Sequence, residues 1–239
     1  MNDTDRDFGK TRFGWLLKQR GYVYADEQNL ESKITVISKR PDYFVEASNG
    51  TRLLVEIESF NKGEELDLEP GFRQIGNYDR ILNRVRNSVK RASLQLRDYK
   101  SLNIPLLIVL DNWRDRPLML SSVNMREALF GRITFALPVV DTPSRFLGDP
   151  VPYHGRDQVL NEKSKCYISA VALIGRKRAF IYDDSDGEKP LRLQIFHNHF
   201  ALRPLPIPTF SDAEDVHEGY DIEGNWKTLW SSAVAQNLG

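Results

Sequence analysis

Residues 41–58 read Pro41-Asp42-Tyr43-Phe44-Val45-Glu46-Ala47-Ser48-Asn49-Gly50-Thr51-Arg52-Leu53-Leu54-Val55-Glu56-Ile57-Glu58. Two β-type runs, 43–47 and 53–58, flank Ser48-Asn49-Gly50, three residues that favour turns, so the stretch predicts a β-hairpin. With a three-residue turn and Gly50 in the left-handed region, Ala47 faces Thr51 and Glu46 lies opposite Arg52. Asp42 is then opposite Glu56, and Glu58 joins their face because side chains alternate along a strand. Tyr43, Val45, Leu53, Val55 and Ile57 point the other way, into an apolar interior. A two-residue Asn49-Gly50 turn would shift the register by one residue and put Asp42 on the opposite side from both glutamates. The charge pair Glu46–Arg52 favours the three-residue turn.

Working outward, residues 73–99 contain no proline, and Ile81, Val85, Val89, Ala92, Leu96 and Tyr99 recur at helical intervals, which predicts one long amphipathic helix. Residues 104–110 follow as a continuous apolar run of strand length, as expected of a strand covered on both faces. Strand, helix, strand implies a crossover, and hence an α/β fold with a mixed central sheet flanked by helices. Upstream, residues 8–20 predict an opening helix with Phe8, Phe13, Trp15 and Leu16 as its apolar positions and Gly21 as its stop. Residues 34–38 are another short β-type run, and 61–72, with glycine, proline and four acids, read as a mobile loop placed to cover a site.

The second half is less regular. It predicts a short helix at 123–131, a strand at 133–137 and a long polar connection over 141–165. Strands at 167–174, 179–182 and 191–196, with a turn at 183–190, extend the sheet. Prolines make 203–208 an extended strap. Trp226 and Trp230, four apart, predict a terminal helix docked on the body. There is no internal repeat and no evident linker. The chain therefore reads as one domain, 1–239, with its core in 8–111 and additional helices, strands and the strap in 112–239.

At 239 residues, 41% hydrophobic and 28% charged, the composition is that of a globular protein and excludes disordered and fibrous classes. No apolar run approaches the roughly 20 residues of a membrane span, and the N-terminus is polar where a signal peptide is apolar, so a cytoplasmic location is expected. The single cysteine, Cys166, excludes an internal disulfide and a cysteine-based zinc site, and reads as an inert, half-buried thiol in an apolar strand. With 33 basic against 33 acidic residues, any phosphate binding must be local.

Three carboxylates on one strand face repel one another unless a positive charge sits among them. Hard oxygen donors suit Mg²⁺ or Mn²⁺, which can lower the pKa of a bound water and polarise a phosphate. A glycosidase pair made of Glu56 and Glu58 is disfavoured: neighbours two apart on a strand lie about 6–7 Å apart, and no aromatic sugar platform accompanies them.

Pro41-Asp42, thirteen residues, then Glu56-Ile57-Glu58 resembles the motif of the PD-(D/E)xK nuclease superfamily, and the order of elements over 8–111 is similar to its restriction endonuclease-like core. The resemblance implies a metal-dependent nuclease with Asp42, Glu56 and the Ile57 carbonyl as metal ligands. Asp42, Glu56, Glu58 and Gln95 are then its catalytic residues. The commonest pattern has lysine at position 58; Glu58 resembles the Glu-x-Glu arrangement of a minority of restriction enzymes, and either Lys62 or Lys90 is available to replace the missing charge. Gln95 and Tyr99 resemble the Q-x-x-x-Y feature of the recombination-nuclease branch. Arg80, Arg84, Ser88, Arg91 and Gln95 form one helix stripe suited to phosphate, and Arg84, Lys90, Arg91 and Tyr99 are the expected nucleic-acid contacts. Lys90, Arg97 and Lys100 read equally as a solvated basic face. Similar nucleases use a further acid near the first helix, here Glu27 or Glu31. His197 and His199 share a strand face, more as structural residues than as metal ligands. Ser169-Ala-Val-Ala, His197-Asn198 and Arg203-Pro-Leu-Pro look similar to C-terminal parts of uncharacterised bacterial proteins with such a core. The expected activity is hydrolysis of DNA with Mg²⁺ or Mn²⁺, in bacterial defence or mobile-element biology, with a homodimer or helper subunit allowed. The alternative is a catalytically silent fold that binds nucleic acid or a protein.

Overall fold

The computed structural model describes residues 6–60, 78–111, 120–136, 151–154, 157–176, 191–212 and 215–231. The chain opens with α1 (Arg6–Gln19) and β1 (Val23–Asp26), and β2 (Tyr43–Glu46) then pairs antiparallel with β3 (Arg52–Ser59). The Ala47 N–H donates to the Thr51 carbonyl and the Gly50 N–H to the Ala47 carbonyl, both at 2.9 Å, with Gly50 at φ +79°. This is the three-residue turn: Glu46 faces Arg52, with 3.5 Å between Oε2 and Nε, and the register carries Asp42 level with Glu56.

After β3 come α2 (Tyr78–Leu96), β4 (Leu106–Asp111), α3 (Ser122–Phe130), β5 (Ile133–Ala136), β6 (Val151–His154), β7 (Ala170–Arg176), β8 (Leu191–His197), β9 (Val216–Tyr220) and β10 (Trp226–Ser231). Eight strands make one mixed sheet in the order β1-β2-β3-β4-β7-β8-β9-β10, while β5 and β6 pair separately. β3, β4 and β7 run parallel, so α2 is the predicted crossover helix. The C-terminal half extends the sheet begun by the first half.

The alternation predicted for the hairpin sorts the core into two layers. Tyr43, Val45, Leu53, Val55 and Ile57 pack with Phe13, Leu16 and Leu17 of α1, and with Leu107 and Val109, on one face. Phe44 and Leu54 pack with Leu82, Val85, Val89, Ala92, Leu96 and Tyr99 of α2 and its following turn, and with Ile108 and Leu110, on the other. Each face of β3 and β4 is thus covered by a helix, which is why both strands are buried along nearly their whole length.

Several expectations are corrected. In α1 the buried positions are Phe13, Leu16 and Leu17, whereas Phe8 and Trp15 are exposed at 45% and 39%. Residues 34–38 form no strand; Ile34 and Val36 only lean on the core. The connection 141–165 contains β6. Trp226 and Trp230 lie on β10, not on a helix, and a bulge between Thr228 and Trp230 sends them to opposite faces, Trp226 stacking on Phe196 and Trp230 meeting His217 edge-on. Cys166 is half-buried as expected, but it lies in the turn before β7 rather than in a strand. The loop 61–72 with Lys62, the strand 179–182 and the turn 183–190 lie outside the described residues. No helix among those described is long and apolar enough to cross a membrane.

The C-terminal segments noted in the sequence are knit to one another. The Ser169 hydroxyl donates to the Arg203 carbonyl (2.5 Å) and accepts from the Leu106 N–H (3.0 Å), while Asn198 Nδ2 donates to the Ile168 carbonyl (2.7 Å). Arg203 in turn donates to the Lys100 carbonyl (2.6 Å) and to Asn103 Oδ1 (3.0 Å). They tie the strap to the β4–β7 end of the sheet, a structural role.

Candidate functional site

β2 and β3 are antiparallel, so the start of β2 and the end of β3 meet at one end of the sheet, and Asp42, Glu56 and Glu58 are gathered there. All three are buried, at 4%, 3% and 8% exposure. Asp42 Oδ2 accepts the Ile57 N–H at 2.7 Å, and Asp42 Oδ1 lies 2.5 Å from Lys10 Nζ. Glu58 Oε2 accepts from Arg91 Nη2 at 2.8 Å. Glu56 Oε1 accepts from Gln95 Nε2, and its other oxygen, Oε2, is buried with no hydrogen-bond partner. The outer two acids each have a cation; the middle one has an amide.

The electrostatics follow from that arrangement. Burial, reinforced by the charges of Asp42 and Glu58, pushes the Glu56 carboxyl up to about 9, against the opposing pull of Lys10. Burial also raises the Asp42 carboxyl, although Lys10 and the Ile57 N–H pull it down. Burial would lower the Lys10 ammonium, but its hydrogen bonds and charge contacts with Asp42 and Glu27 outweigh this and hold it above its ordinary value.

Lys10 was not anticipated. It bridges Asp42 and Glu27, whose Oε2 lies 2.9 Å from Nζ, and so brings one of the two acids considered near the first helix to the edge of the site. Glu31 instead pairs with Arg40 on the exposed surface. The signal available in the sequence was a lysine three and seven residues before Phe13 and Leu17, on the buried stripe of α1.

Two members of the stripe on α2, Arg91 and Gln95, face the acids. Arg91 reaches Glu58 and Ser88, Gln95 reaches Glu56, and the Arg84 guanidinium sits 5.4 Å over the Phe60 ring. Burial and the nearby charges of Arg80 and Arg91 lower the Arg84 guanidinium. Lys90 lies near enough to Lys165 that its charge, after burial, lowers the Lys165 ammonium. Tyr99 is fully buried and donates to the Lys39 carbonyl at 3.1 Å; it offers nucleic acid no surface and instead pins the segment that leads to Asp42. Ile57 meets the acids through its N–H. A cleft of about 430 Å³, lined among others by Lys39, Glu58, Arg91, Leu94 and Gln95, opens beside them.

The histidines separate. His197 Nε2 lies 2.8 Å from His217 Nδ1, and His217 Nε2 lies 2.5 Å from the Phe210 carbonyl. Burial and His217 lower His197 to about 3, and burial lowers His217 as well, against the opposing pull of the Phe210 carbonyl and Asp215. His199 packs against Phe130, Phe200 and Tyr220, away from His197.

Hard carboxylate donors and one orphaned buried oxygen fit a divalent cation. As the side chains stand, no three His, Cys, Asp or Glu groups among the described residues converge closely enough to ligate one. Compared with protein-family profiles, with curated proteins and with solved structures, the chain has no match in any of the three.

Proposed function

We propose that the chain is a metal-dependent nuclease that hydrolyses phosphodiester bonds in DNA, with β1–β4, α1 and α2 forming a restriction endonuclease-like core. The observation that carries this reading is Glu56: a buried carboxylate, between two other acids, with one oxygen unpartnered. Leaving such an acceptor unmet costs about 1–3 kcal/mol, and a cation satisfies both the oxygen and the charge. Asp42, Glu56 and the Ile57 backbone would hold a Mg²⁺ or Mn²⁺ ion; when bound, it would supply Lewis-acid polarisation of the phosphate and an acidified water. Gln95 orients Glu56, the Ile57 N–H orients Asp42, Arg91 presents its guanidinium beside Glu58 for phosphate, and Arg84, over the Phe60 ring and close to Arg91, extends that positive charge along α2. Lys39 and the cleft next to Glu58 give a nucleic-acid strand a place to lie.

The test is cleavage of supercoiled plasmid, linear duplex and single-stranded DNA with Mg²⁺, Mn²⁺ or EDTA, using the native chain, Asp42→Asn and Glu56→Gln. Metal-dependent cutting that disappears in both variants is the expected result. Cutting that survives both variants would sink the assignment.

One observation favours a second reading, a catalytically silent nuclease-like fold that binds nucleic acid or a protein. Position 58 carries a negative charge neutralised by Arg91, where the commonest family pattern has a lysine. No cleavage by folded protein that still binds DNA would favour it.

A further inference from the structure

Lys10 is held as a part of the site rather than as a surface lysine. The Tyr43 hydroxyl donates to the Lys10 carbonyl at 2.8 Å. On either side of it along α1, a Cβ on Gly9 would come within 3.1 Å of Asp111 Oδ2, and one on Gly14 within 2.8 Å of the Tyr43 hydroxyl. The helix backbone therefore lies against the strand ends, and Lys10 can send its ammonium between two carboxylates, 2.5 Å from Asp42 and 2.9 Å from Glu27. A cation bridging two acid side chains, one of them buried, does electrostatically what a second metal ion would do there.

The charges support the same conclusion. Among the described residues, Glu27, Asp42, Glu56 and Glu58 exceed the two cations in contact with them, Lys10 and Arg91, by two negative charges. One divalent ion balances that excess; two would overbalance it. The only one of these acids without a cationic partner is Glu56, which also owns the orphaned oxygen.

We propose that the Lys10 ammonium is the resident second cation of the site, filling the position between Asp42 and Glu27, so that the protein takes a single divalent ion, at Glu56. This rests on the metal-dependent reading above and sets its stoichiometry. Replacing Lys10 with a neutral side chain frees two carboxylates and opens a second ion position, while arginine keeps the position filled.

The experiment counts Mn²⁺ bound to the full chain, by the loss of the free-ion EPR signal, for native protein, Lys10→Arg, Lys10→Met and Lys10→Met with Glu27→Gln, with circular dichroism to check folding. Expected are one ion for native and Lys10→Arg, two for Lys10→Met, and one again for the double variant. Two ions on native protein overturn the inference without any variant and leave the nuclease reading standing. So does a folded Lys10→Met that binds only one. If native protein binds none, the metal-dependent reading fails; Lys10→Met binding one ion would then still place Lys10 in a cation's position, and binding none would overturn both.

Discussion

Gln95 on α2 donates to one carboxylate oxygen of Glu56 on β3, and the opposite oxygen of Glu56 is buried with nothing to donate to it. An amide can orient a carboxylate but cannot neutralise it, so in metal-free protein the proton is the available neutralising partner.

Without metal, stability should fall as pH rises. Glu56 is raised to about 9 from an ordinary value of 4.5. Its folded form therefore holds a proton that the unfolded chain has released between those values, so stability is full below the lower value and is lost as pH climbs towards the higher. The slope is at most about 1.4 kcal/mol per pH unit for one group, and Asp42, also raised, acts in the same direction. Urea denaturation in EDTA at pH 6, 7 and 8 should show the decline for native protein and a shallower one for Glu56→Gln. Equal native stability at pH 6 and 8 would mean that Glu56 is already compensated.

Mn²⁺ should reverse that loss. An ion bound to the folded state alone stabilises it by about 2.7 kcal/mol at one hundred times its Kd. At pH 8 the thermal midpoint of native protein should rise with Mn²⁺, and that of Glu56→Gln should not. A rise of equal size in both would place the ion elsewhere.

The far end of α1 is anchored by another buried ion pair. Arg20 donates to both oxygens of Asp215, at 2.6 and 2.9 Å, and to the Leu191 carbonyl at 3.0 Å, with Asp215 wholly buried. Asp215→Ala leaves the Arg20 guanidinium with only the more exposed Asp212, 3.3 Å from its Nε, as counter-charge, and should cost towards the lower end of about 3–5 kcal/mol in urea denaturation. A loss under about 1 kcal/mol would show that water reaches Arg20.

Gly14→Ala should destabilise, although alanine is the better helix former by about 1 kcal/mol. Its Cβ would stand 2.8 Å from the Tyr43 hydroxyl, and overpacking of that kind costs about 1–3 kcal/mol. Tyr43→Phe removes the obstructing oxygen. A double-mutant cycle should therefore show the two changes together costing less than their sum; strict additivity would mean that α1 does not bear on Tyr43 at this point.

Much of the site was legible because it is local. Asp42, Glu56 and Glu58 are joined by a hairpin whose turn residues and cross-strand charges set the register without reference to the rest of the chain. The Arg84–Arg91–Gln95 stripe was legible because helical periodicity ties it to the apolar positions that must face the sheet. Trp226 and Trp230 misled because residues four apart share a face in a helix and also in a regular strand, and a bulge then removed even that common feature.

What the sequence determined by itself is the hairpin, the long helix and the strand that follow it, and the meeting of three acids across that hairpin, since turn chemistry, periodicity and side-chain alternation act over a few residues. What only the tertiary structure decided is how those acids are neutralised. The Lys10–Asp42 and Arg91–Glu58 contacts join residues 32 and 33 positions apart, and α1 reaches the acids only because Phe13, Leu16 and Leu17 pack beneath the sheet. Such pairings have no local signature: they are set by where whole helices come to rest on a buried surface, and hydrophobic burial, which seats those helices, is not directional.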